Sequence, residues 1–168
     1  MQIIAWIFGL GAMVALFSIY QQKSRRRLLF CKTCADACWV VHYFCLGGYG
    51  GMVPNLVGIL RELVFVQRDK KRWASSIFVP IFFILLNWGI GFSTFSRPIN
   101  VLPIAASTLV TVSLWLRRPR LTKLLSVPVS IAFLVYDILI GSYIGVVNES
   151  IAILSIMLSF IKERKTRA

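Results

Sequence analysis

The sequence predicts an all-α integral membrane protein of seven transmembrane helices. They form two parallel three-helix bundles joined by a linker helix, a 3+1+3 order, with the N-terminus outside and the C-terminus inside. Three observations carry this expectation. The 168 residues are 58% hydrophobic and only 15% charged, more apolar side chain than a soluble domain of that length can hide. The apolar residues gather into seven runs, most of about 16–20 residues, the length that crosses a bilayer core. The basic residues gather after alternate runs.

The runs are Ile3–Tyr20, Leu28–Leu46, Met52–Val66, Ala74–Phe92, Ile99–Leu116, Leu124–Ile140 and Gly145–Ile161. The first is expected to be retained as a helix. A cleaved signal carries its positive charge before the apolar run, whereas here Lys23, Arg25, Arg26 and Arg27 follow it. The third run is short. Together the seven leave no room for a soluble catalytic module.

The formal net charge of +13 invites a nucleic-acid reading, but its distribution points to a membrane. Four clusters of four follow runs one, three, five and seven: Lys23, Arg25, Arg26, Arg27; Arg68, Lys70, Lys71, Arg72; Arg117, Arg118, Arg120, Lys123; and Lys162, Arg164, Lys165, Arg167. Lys32, Arg61 and Arg97 are the only basic residues elsewhere. This alternation is the positive-inside pattern. The expected partner of the basic face is therefore a bilayer with anionic headgroups, and no nucleic acid is expected.

An internal repeat appears at an offset of 94 residues, the separation of Gly47 from Gly141. At that offset "GGYGG" meets "GSYIG", Arg26 meets Arg120, and Ile59 and Leu60 meet Ile153 and Leu154. In each half a basic loop precedes the second helix, and a five-residue Gly/Tyr turn leads to the third. An even shift of four helices makes the triplets parallel, with their axis along the membrane normal. The expected units are residues 1–67 (first bundle), 68–95 (basic loop and linker helix) and 96–168 (second bundle and basic tail).

This organisation resembles the SWEET sugar facilitators and their PQ-loop and PnuC vitamin-transporter relatives. More closely, "YQQKSRRRLLFCK", "WVVHYFCLGGYGG" and "NLVGILRELVF" resemble the bacterial inner-membrane family named after YgjV. The close resemblance covers about residues 16–66. It implies a multi-pass protein of the bacterial inner membrane. The SWEET likeness implies a small-molecule facilitator in which an Asn on each third helix meets substrate beside a Trp-like residue on the second. Asn55 and Trp39 match that in the first half; Phe133 and Glu149, with Asn148 adjacent, stand in the second. The Pro-Gln pair that names the PQ-loop proteins is absent.

The second run holds most of the chemistry. On a helix of about 100° per residue, Cys31, Cys34, Cys38 and Cys45 form one stripe with His42 at its edge. Lys32, Asp36, Trp39 and Tyr43 form another. The cysteines can be read as a soft-metal or thiol site, or as small apolar residues packing one helix on another. Packing is the favoured reading: three ligands in one row cannot close a tetrahedron, and with no other Cys or His in the chain a site would need Asp137, Glu149 or a second subunit to complete it. No metal and no cofactor is therefore expected. In the second stripe, intramembrane charge must face protein or water. A Lys–Asp pair continued by indole and phenol suits the wall of a polar cavity, the rings gripping a flat ligand. His42 suits a proton-linked switch or, by preference, a neutral interhelical hydrogen bond.

Elsewhere Asn55, Arg61 and Glu62 occupy the third run, and Tyr136 and Asp137 the outer end of the sixth. The expected substrate-binding set is Asp36, Trp39, His42, Tyr43, Asn55, Tyr136, Asp137 and Asn148. Lys32, Arg61, Glu62 and Glu149 are expected to pair charges, with snorkelling to the inner face an alternative for Lys32 and Arg61. Asn87 should brace the two triplets, Ser107 and Thr111 should bond their own backbone, and Pro80, Pro103 and Pro128 should kink their helices. No nucleophile–base pair or Gly-rich phosphate loop is present, so no enzyme is expected. The expected function is a facilitator for a small polar, ring-bearing metabolite, as one chain or a homo-oligomer. The alternatives are a metal or thiol protein and a non-transporting assembly partner.

Overall fold

The structure, a computed structural model, describes residues 1–19, 22, 24–93 and 97–165. Tyr20, Lys23 and Arg167 lie outside these, as do the side chains of Arg120, Lys162, Arg164 and Lys165. The described chain is helical: α1 (Gln2–Ile19), α2 (Arg25–Cys45), α3 (Tyr49–Val66), α4 (Phe78–Ser93), α5 (Val101–Leu116), α6 (Pro119–Ile140) and α7 (Tyr143–Lys165). Short 3-10 turns at Trp73–Ser75 and Pro98–Asn100 precede α4 and α5. Five segments are long and apolar enough to cross a membrane: Gln2–Ile19, Arg25–Cys45, Tyr49–Asp69, Pro98–Leu116 and Leu121–Ile140. Phe78–Ser93 and Tyr143–Ser159 are apolar but shorter.

Neighbouring helices pack in chain order within each triplet, α1 on α2 on α3 and α5 on α6 on α7. The triplets join where α3 meets α5 and, more sparsely, where α1 meets α7. This gives a ring of six helices. The seventh, α4, packs on α3 and α5.

Local chemistry explains the boundaries. Ser24 caps α2, its hydroxyl accepting from the Arg27 amide at 3.3 Å. The two Gly/Tyr turns are shorter than the five residues expected, and α3 and α7 begin already at Tyr49 and Tyr143. One left-handed glycine reverses each chain, Gly47 with φ +69° and Gly141 with φ +73°. The expected linker helix from Ala74 is split. Ser76 is extended, with ψ 139°, so α4 proper starts at Phe78. Pro80 and Pro103 then fall in the first turns of α4 and α5, where a missing N–H costs nothing, and only Pro128 of the three sits inside a helix.

Two apolar clusters pack between the helices. Leu29, Val53, Val57, Phe65, Phe83 and Trp115 join α2, α3, α4 and α5. Ala12, Trp39, Tyr43, Tyr136 and Ile144 join α1, α2, α6 and α7. On α1 the buried residues are Ala5, Gly9 and Ala12, a small-residue stripe that lets α2 come close. A Cβ on Gly9 would stand 2.8 Å from His42 Nδ1. Cys38 packs against the second cluster, Cys34 is exposed, and all four thiols are free. Asn87 braces α4 to α5 through the Ile104 carbonyl at 3.0 Å, rather than triplet to triplet.

Candidate functional site

A cavity of about 290 Å³ occupies the centre of the ring. Its walls come from all six ring helices: Leu16 and Phe17 on α1; Lys32, Asp36, Trp39 and Tyr43 on α2; Asn55 on α3; Val110 on α5; Ser126, Ser130 and Phe133 on α6; and Asn148, Glu149 and Ser155 on α7. No α4 residue lines it. Five lining pairs stand 94 residues apart: Leu16 and Val110, Lys32 and Ser126, Asp36 and Ser130, Trp39 and Phe133, Asn55 and Glu149. Trp39 and Tyr43 stack with centroids 5.5 Å apart and planes at 25°, presenting a flat aromatic wall.

Beside this wall lies a chain of four charges. Lys32 Nζ is 2.6 Å from Asp36 Oδ1 and 3.5 Å from Glu62 Oε1. Glu62 Oε1 is in turn 3.2 Å from Arg61 Nη2. Arg61, 2% exposed, reaches across the α3–α5 seam and donates to Thr111 Oγ1 at 2.8 Å. Two cations and two carboxylates cancel, which is how so much charge is buried at tolerable cost. Gly58 makes room for it, since a Cβ there would stand 2.5 Å from Asp36 Oδ2.

At the end of the cavity nearest the glycine turns, three contacts tie the triplets together. The Tyr43 hydroxyl donates to Asp137 Oδ1 at 3.0 Å. The Gly51 amide, in the first turn of α3, donates to the Tyr136 hydroxyl at 2.8 Å. His42 bridges Ala5 O through Nδ1 (2.7 Å) and Ser142 Oγ through Nε2 (2.8 Å). A carbonyl only accepts, so Nδ1 carries a proton, and a neutral ring takes the serine hydroxyl at Nε2. The arrangement is reciprocal. His42 and Tyr136 are equivalent under the 94-residue offset, and each bonds the segment after the second helix of the other triplet. At the opposite, basic end, Arg68 lies over the Trp115 ring at 3.6 Å and donates to its carbonyl at 2.6 Å, while Arg25 donates to Leu114 O at 3.0 Å. These arginines cap the otherwise unpaired carbonyls ending α5.

The family model Imp-YgjV, described as bacterial inner membrane protein, matches residues 3–167. The chain belongs to the YgjV family of bacterial inner-membrane proteins. It is similar to inner membrane protein YgjV of Escherichia coli strain K12, with 28% identity over 109 residues. Those residues are 64% of this chain and 56% of that protein, so the match spans little more than half of the relative's length. No solved structure matches. With apolar helices able to span the bilayer, this YgjV-family chain is a multi-pass protein of the bacterial inner membrane.

Of the residues singled out from sequence, Asp36, Trp39, Tyr43, Asn55 and Asn148 line the cavity, together with Lys32 and Glu149. His42, Tyr136 and Asp137 do not line it; they pack in the contacts at the turn end. Lys32 and Arg61 pair with carboxylates rather than snorkel. Thr111 bonds the Ser107 carbonyl as expected, at 2.8 Å, and also receives Arg61. Among the described residues no three of His, Cys, Asp and Glu gather as a metal set. Sequence reasoning missed Ser126, Ser130 and Val110 on the cavity wall. The signal was present, because each is the 94-residue equivalent of a lining residue in the first half.

Proposed function

We propose that this YgjV-family protein is a SWEET- or PnuC-like facilitator for a small polar, ring-bearing metabolite, working by alternating access between two three-helix bundles. The observation that carries the reading is the central cavity, walled by both triplets and by paired positions 94 residues apart. A site on a pseudo-two-fold axis between parallel repeats is the place where rocking of one bundle against the other changes access.

In this reading all seven helices cross the membrane, with the N-terminus outside and the basic clusters at the cytoplasmic face. The glycine turns then lie at the outer face, and the Tyr43–Asp137, Tyr136–Gly51 and His42–Ser142 contacts are the closed outer latch. The cavity lining extends from Tyr43 towards the basic end as far as Ser126 and Ser155. Helix α4 returns the chain so that the second triplet runs parallel to the first. The basic face meets anionic lipid headgroups. The cysteine side of α2 packs, and its Lys-Asp-Trp-Tyr side meets ligand. The reading is of transport without catalysis.

The test is thermal unfolding of the purified protein in detergent against nucleosides, vitamins, sugars and transition metals, followed by uptake of each stabilising compound into proteoliposomes. A binder of the folded state raises its unfolding temperature by mass action. Stabilisation by an organic ring compound, lost in Trp39→Ala and in Phe133→Ala, with uptake into vesicles, supports the proposal. Stabilisation by a metal alone, lost in Cys38→Ser, overturns it in favour of a thiol site.

A further inference from the structure

The interior charges do not sum to zero: one carboxylate without a paired cation, Asp137, sits in the contacts at the turn end, and another lies in the cavity. The chain Asp36–Lys32–Glu62–Arg61 is neutral as a unit. Glu149 is a further carboxylate on the cavity wall. Its Oε1 accepts from Asn148 Nδ2 at 2.9 Å, and it also takes a hydrogen bond from Ser130. Both partners are neutral; Lys32, on the same wall, acts on it only from beyond ion-pairing distance and is itself paired with Asp36 and Glu62. Glu149 sits on α7, which the helix contacts place across the ring from α3. Glu149 is half-buried, and a carboxylate drawn away from bulk water is stabilised by a positive charge set against it.

The other lining residues favour one kind of positive charge. Trp39 and Tyr43 on α2, Phe133 on α6 and Phe17 on α1 all present rings to the same space. Aromatic faces carry negative electrostatic potential and attract weakly hydrated organic cations, a set of walls used for quaternary ammonium groups. The volume is at the lower end of the roughly 300–1,000 Å³ usual for ligand pockets, so the ligand has one or two rings.

We infer that the cavity selects an organic monocation, a flat ring bearing a quaternary or protonated nitrogen, with Glu149 as its counter-charge and Trp39 and Phe133 as the walls that hold the ring. This rests on the reading of the cavity as a transport site and names its ligand class.

The test compares two probes of like shape in the full-length protein at pH 7.5 and fixed ionic strength. They are trimethylanilinium, a permanent cation, and dimethylaniline, its neutral counterpart, each titrated against unfolding temperature. The expected result is at least tenfold tighter binding of the cation to wild type. In Glu149→Gln that preference falls to within about twofold. Equal affinity of the two probes for wild type overturns the inference without any variant, as does a preference that survives Glu149→Gln. Binding of neutral sugars or nucleosides, lost in Trp39→Ala and with no gain from charge, overturns the inference and leaves the transport reading standing. A folded protein that binds no ring compound of either charge overturns both.

Discussion

The Tyr43 hydroxyl donates to Asp137 across 3.0 Å, and the two residues are 94 positions apart in the chain. That is the same offset that brings the two glycine turns into register. The bond joins α2 to α6, so this pair marks where the triplets meet at the end of the cavity. Asp137 Oδ2 is buried without a close hydrogen-bond partner; Tyr43 is the close donor to Oδ1, and Ser142 meets the carboxyl more loosely. Tyr43→Phe therefore takes the close donor away from a buried carboxylate and is expected to destabilise the protein by about 1–3 kcal/mol. Asp137→Asn keeps an oxygen for Tyr43 and removes the charge, so it is expected to cost less than Tyr43→Phe or to stabilise. Unfolding of both variants in one detergent checks the order; Asp137→Asn proving the more damaging would refute the account.

Gly58 and Gly89 make a matched pair. A Cβ on Gly58 would press on Asp36, whereas nothing lies within 4 Å of one on Gly89. Gly58→Ala is expected to cost about 1–3 kcal/mol by forcing the charge cluster apart. Gly89→Ala, inside α4, is expected to stabilise by roughly 0.5–1 kcal/mol through the lower entropy of the unfolded chain. Paired unfolding measurements decide it, and equal effects would show that the cluster is not tightly seated.

Arg61 is the buried tie between α3 and α5. Arg61→Met leaves Glu62 with less compensation and Thr111 without its donor, and is expected to cost about 3–5 kcal/mol. Adding Glu62→Gln should restore part of that loss, because the cluster then returns to one cation and one carboxylate. A double-mutant cycle reports the coupling. Strictly additive effects would mean that the two side chains act separately.

If the cavity is a shared site, its two walls should matter together. Trp39→Ala and Phe133→Ala, on equivalent positions of α2 and α6, are each expected to weaken binding of a ring ligand by at least tenfold, with the unliganded fold retained. Loss confined to one of them would place the ligand within a single triplet.

The composition and the charge alternation of this chain already dictated helices, since a bilayer leaves backbone groups no other partner. Periodicity likewise put Lys32, Asp36, Trp39 and Tyr43 on one face of α2 and the thiols on another, and the repeat offset held the equivalences of α6 and α7. A helical pattern fixes the direction of a side chain about its own axis and not the neighbour it meets. Only the packed ring decided that Trp39 faces a cavity while His42 and Tyr136 reach across to the opposite turns. It alone gave Arg61 to Thr111 and left Glu149 among neutral partners. Those outcomes depend on the spacing of helices far apart in sequence, set by glycines such as Gly9 and Gly58 whose role is to let another chain segment come close.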